Sequence, residues 1–216
     1  MVSTKPNILF VLSSHTAGWY LPEFTHPYQV LSPHAEVTIA SPEGTSTVDP
    51  ISVKLFKDDA YSTEKLSSMI GRAQDFDVIF IVGGFGPMYD LATDVTSIQL
   101  LREFHDADRI IVALCHGSAA LVNVTLGDGS PILAGHRVTG FSNTEEEQAY
   151  SNDIVPPGMP FSLEDALNKA SDGKYEKSSE AWSLQVIMEP SRKLLFGQNP
   201  ASAHPLAEKL LEVLTH

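Results

Sequence analysis

The chain has 216 residues, with 14 Lys and Arg against 27 Asp and Glu and a formal net charge of −13. That balance leaves no concentrated basic patch and argues against nucleic acid as a partner. No apolar run approaches the roughly 18 residues that cross a bilayer, so no membrane association is expected. Hydrophobic residues make up 43% and charged residues 19%, ordinary for a folded protein whose length suits one α/β domain over residues 1–216. The opening apolar stretch ILFVL is too short for a secretory leader. The lone cysteine, Cys115, cannot form a disulfide within its chain, so the cytosol is the expected compartment, with the nucleus as a second.

In chain order, NILFVLSS (7–14), EVTIASPEG (36–44), DVIFIVGG (77–84) and RIIVALC (109–115) read as strands. Their continuous apolarity, rather than alternation, fits strands covered on both faces of a parallel sheet. TEKLSSMIGRAQ (63–74) and TSIQLLREFHDA (96–107) have helical spacing, and strand–helix alternation of this kind predicts a doubly wound α/β layer. HRVTGFSN (136–143) follows, then a long surface loop over 147–161. A helix over SLEDALNKA (162–170) has Ser162 as N-cap and Asp165 at the capping-box position. SLQVIME (183–189) and KLLFGQNP (193–200) close the sheet, and a last helix carries Pro205 in its first turn.

RIIVALC delivers Cys115 to the carboxyl end of a strand, where open α/β sheets gather reactive groups. HGSAALV then begins a helix, so the turn reads as a nucleophile elbow, with Gly117, Ser118, Ala119 and Ala120 small enough for close packing. A helix start would favour a thiolate there. The same spacing also fits a buried, inert cysteine. His116 is equally ambiguous on spacing alone.

The ordered set A-L-C-H-G-S-A-A-L after one strand and G-G-F-G after an earlier one resembles the ThiJ/PfpI superfamily, with its class I glutamine-amidotransferase-like fold. GWYLPEFTHPY (18–28), HRVTGFSNTEEE (136–147), PFSLEDAL (160–167) and FGQNPASAH (196–204) are similar to its glutathione-independent glyoxalase branch, glyoxalase III, whose members include heat-shock chaperones. The resemblance implies a flavodoxin-like three-layer α/β sandwich with a mostly parallel central sheet. It implies Glu23, from a loop set by His26 and Pro27, against the Cys115 thiol, and His116 as the histidine of a Cys-His pair. Glu146 is the best-aligned acidic partner for His116, with Glu145 and Glu147 one residue away. Gly83 and Gly84 would build an oxyanion site, with the His116 N–H as second donor. Phe85 departs from the branch, many of whose members have histidine there.

The activity so implied is conversion of methylglyoxal or glyoxal, with water, to lactate or glycolate, as a D-lactate dehydratase-class lyase using no cofactor and no metal. A reactive aldehyde and a second copy of the chain, in a homodimer, are the expected partners. The alternatives are a stress chaperone that holds unfolding clients, a cysteine redox sensor and, further off, a peptidase or amidase. His204, Trp19 and Trp182 each fit either the pocket or plain packing.

Overall fold

The computed structural model describes residues 5–56, 63–151, 159–191 and 193–215. Seven strands form one sheet: β1 (Asn7–Val11), β2 (Glu36–Ser41), β3 (Glu64–Lys65), β4 (Val78–Ile81), β5 (Ile110–Leu114), β6 (Val186–Met188) and β7 (Leu194–Gly197). Their order is β3-β2-β1-β4-β5-β7-β6, parallel throughout except for β6 against β7. All residues of β4 and β5, and all but the first of β1, are buried. Successive side chains point to opposite faces, so both faces of these strands are covered, which accounts for their unbroken apolar sequences. Phe10 of β1 stacks on Phe80 of β4 with ring centroids 4.9 Å apart.

The helices are α1 (Leu21–Leu31), α2 (Pro50–Phe56), α3 (Val95–Asp106), α4 (Asn143–Ser151), α5 (Leu163–Ala170) and α6 (Ala203–Thr215). The architecture is the mostly parallel, flavodoxin-like α/β sandwich expected. At the start of α5, Ser162 Oγ accepts the Asp165 N–H at 3.2 Å, and α1 packs against α6. After β1 the chain crosses to β2 on one side, and β4 then lies on the other side of β1. The carboxyl ends of β1, β4 and β5 therefore meet at the switch in direction, the crevice where such folds bind ligands.

Several local expectations are corrected. Residues 63–74 form no α-helix but the short β3 and two 3₁₀ turns, Leu66–Met69 and Ala73–Asp75. The buried pair Leu66 and Met69 has the three-residue spacing of a 3₁₀ turn, and Gly71, at φ +77°, bends the chain beyond it. The 147–161 stretch begins as helix, because α4 continues to Ser151; residues 152–158 lie outside the described set. HRVTGFSN contributes no strand, only an isolated bridge from Val138 to Tyr175.

Candidate active site

Cys115 follows β5 directly and has φ 56°, a left-handed conformation that non-glycine residues rarely adopt. Such strain costs on the order of 1–3 kcal/mol and persists only where surrounding contacts enforce it. Here the enforcement is visible. Gly117 sits where a Cβ would lie 2.6 Å from the Ile81 carbonyl oxygen, and Ser118 Oγ donates back to the Cys115 carbonyl at 2.8 Å. The segment after the elbow is a tight 3₁₀ helix, Cys115–Leu121, rather than the α-helix expected.

Glu23 reaches the same spot from the first turn of α1, so a helix carries it and not a loop. Pro27 lies within that helix, and His26 is exposed on it. Glu23 is wholly buried. Neither carboxyl oxygen has a hydrogen-bond partner of good geometry among the described residues, although the Cys115 thiol and the Gly84 N–H lie close enough to favour the ion. Burial outweighs them and pushes the carboxyl up to about 8. Gly83 is required beside it, since a Cβ there would collide with Glu23 Oε2 and approach Cys115 Cβ to 2.8 Å.

The thiol follows the same logic. Burial first, then the neighbouring Glu23 carboxyl, pushes Cys115 well above the ordinary thiol range, against the opposing pull of the His116 N–H. That direction runs against the resting thiolate expected from the sequence. Cys115 is 3% exposed. Burial thus favours the protonated form of both groups, thiol and carboxylic acid.

His116 is almost fully buried, with Nδ1 3.4 Å from Cys115 Sγ and Nε2 2.8 Å from Glu146 Oε2. A carboxylate on Nε2 selects the tautomer protonated there and leaves Nδ1 to accept from the thiol. Glu145 is drawn elsewhere. Its carboxylate accepts from the Ser142 N–H and Oγ, the Trp182 N–H, Gln198 and Asn199. It thereby ties the start of α4 to the two segments flanking the sheet edge, and so sets the position of Glu146. Glu147 is exposed.

Cys115, Glu23 and His116 face one cavity of about 240 Å³ at the strand ends, lined also by Tyr20, Asp49, Ile51, Gly84, Phe85, Phe141, Ala149, Trp182 and Pro200. Gly84 has φ +93°, and a Cβ there would strike Tyr20 and Trp19 backbone. Phe85 and Phe141 flank the His116 ring, with centroids 5.0 and 4.4 Å away, so the wall is apolar there. Trp182 belongs to this wall. Trp19 is core packing against Phe24, and His204 is exposed, 3.4 Å from Glu208. Tyr20 and Asp49 escaped the sequence reading. The available signal was D-P-I-S, an N-cap with proline at the first helical position. Among the described residues no group of three or more His, Cys, Asp or Glu is arranged to hold a metal ion.

The DJ-1/PfpI family model matches residues 7–155. The chain belongs to the DJ-1/PfpI family. It is 30% identical over 220 residues to glutamine amidotransferase-like class 1 domain-containing protein 1 of Bos taurus, covering 96% of this chain and 94% of that one. It is 24% identical over 227 residues to glyoxalase 3 of Candida albicans, with the same coverages. The crystal structure of Rapid Encystment Protein 24 KDa from Francisella tularensis superposes with a TM-score of 0.83 at 31% identity, covering 97% of this chain and 99% of that one. Family membership thus accounts for the elbow, and the names of these relatives differ in what they say of activity.

Proposed function

We propose that the protein is a glutathione-independent glyoxalase, converting methylglyoxal or glyoxal with water to lactate or glycolate at Cys115. The observation that carries this reading is a thiol and a buried carboxyl sharing one small cavity with a histidine that is itself bound to a carboxylate behind it. The name glyoxalase 3 borne by a relative aligned over nearly the whole chain supports it.

In this reading, His116 Nδ1 takes the thiol proton as sulfur adds to the aldehyde carbon, and Glu23 gives its proton to the aldehyde oxygen. A hemithioacetal results, with Glu23 now a carboxylate. Glu23 then removes the hydrogen from that carbon and returns it to the neighbouring carbon. His116 supplies a proton to the second oxygen and recovers one from the first. The product of this internal oxidation and reduction is a thioester, which water cleaves to the hydroxy acid and the free thiol. Amide N–H groups of Gly84 and His116 then hold the developing oxyanion in this reading. Because the thiol rests protonated, its proton must leave during attack, and this gives the His116–Glu146 pair its work.

Purified protein should consume methylglyoxal and form lactate with no thiol added, and Cys115→Ala should lose at least about 10³ of that rate, the order expected of a covalent nucleophile. Normal turnover by Cys115→Ala would overturn the proposal.

A further inference from the structure

Asp49 lines the same cavity and has no part in the chemistry above. It is 3% exposed, and its two oxygens have different surroundings. Oδ1 caps the start of α2, accepting the Ile51 N–H at 2.9 Å and the Ser52 N–H at 3.1 Å. Oδ2 is buried with no hydrogen-bond partner among the described residues. A helix cap accounts for the first oxygen and leaves the second unexplained, and a buried, unmatched carboxylate oxygen is costly unless something else uses it.

The rest of the cavity sharpens the point. Among the described residues its lining contains no Lys or Arg, and the one histidine among them is already engaged by Glu146. Glu23 is protonated through neutrality. Burial raises Asp49 as well, but the Ser52 hydroxyl and the Ser52 and Ile51 amides pull it back towards the ion. Asp49 thus differs from Glu23 in carrying hydrogen bonds of good geometry, from the Ile51 and Ser52 amides, that favour its charged form. An entering anion would meet a like charge across an apolar space where screening is weak.

We propose that Asp49 is a specificity-determining residue that makes this cavity a charge filter. Uncharged carbonyl compounds and their hydroxyl-bearing adducts are admitted. Carboxylate-bearing compounds are turned away, including the hydroxy acid formed there, whose release is assisted. The inference rests on the glyoxalase reading for its substrate class but not for its test.

The test is equilibrium binding of sodium lactate and of lactamide, an uncharged analogue of similar shape, at matched ionic strength. Tryptophan fluorescence reports it, because Trp182 forms part of the wall. Wild type should bind lactamide at least about tenfold more tightly than lactate. Asp49→Asn keeps the capping oxygen, and Asp49→Ser is a second neutral cap; each should bring the two affinities within about threefold. Melting temperatures measured alongside establish that both variants fold. Equal affinities in wild type, an unchanged ratio in both folded variants, or binding of neither probe at tens of millimolar would overturn the filter. Discrimination without any methylglyoxal turnover would refute the glyoxalase reading and leave the filter standing.

Discussion

Glu23→Gln tests the least ordinary feature of the site, a carboxylic acid kept neutral near pH 7. In the folded protein this group titrates at about 8, against 4.5 when unperturbed. The folded state therefore holds the proton more tightly than the unfolded chain. Stability supplied by that proton is fully present below about pH 4.5 and is lost as pH rises towards the folded value. Taking the two pKa values at face value, the wild type loses about 3–4 kcal/mol from this group between pH 5 and pH 8. Gln cannot titrate, and the cost of its buried amide is the same at both pH values. Urea unfolding at pH 5 and pH 8 should thus show wild type losing about 3–4 kcal/mol more than the variant, or roughly 7–14 °C in melting temperature for a chain of this size. Parallel stability profiles for the two proteins would refute the buried neutral acid, and with it the proton donor of the proposed mechanism. The same titration predicts an alkaline fall in wild-type kcat/KM centred near the Glu23 value of about 8, since the donor form is lost above it.

Glu146→Gln removes the charge facing His116 Nε2 at 2.8 Å; kcat should fall roughly 10²-fold with KM little changed, in steady-state kinetics of methylglyoxal consumption. Gly83→Ala would place a methyl group against Glu23 Oε2 and 2.6 Å from the Leu114 carbonyl oxygen; it should cost about 1–3 kcal/mol in urea unfolding and abolish turnover by displacing Glu23. Iodoacetamide should label wild-type Cys115 slowly at pH 7 and faster as pH rises, because burial disfavours the thiolate; rapid labelling already at pH 6 would restore a resting thiolate.

Much of the fold was legible because buried parallel strands leave a strong local record. The runs containing Ile8–Val11, Val78–Ile81 and Ile110–Leu114 are apolar on both faces, and no other element needs that pattern. The cap at Ser162 was readable because its partner is three residues away. The 66–69 turn was not, because its apolar spacing also suits an α-helix and tertiary burial decided between them. Within the site, Cys115 and His116 stand on a recognisable motif, and alignment placed Glu146 within one residue.

The amino-acid order thus determined which strands exist, where the elbow falls and which acidic residues were candidates, since each depends on neighbours a few positions apart. Tertiary structure alone decided that Glu145 serves the scaffold while Glu146 meets the histidine, that Asp49 enters the pocket, and that the thiol and Glu23 rest protonated. Those outcomes depend on desolvation and on ionisable groups brought together from α1, the start of α2, the turn after β5 and α4, and no local stretch of chain carries that information.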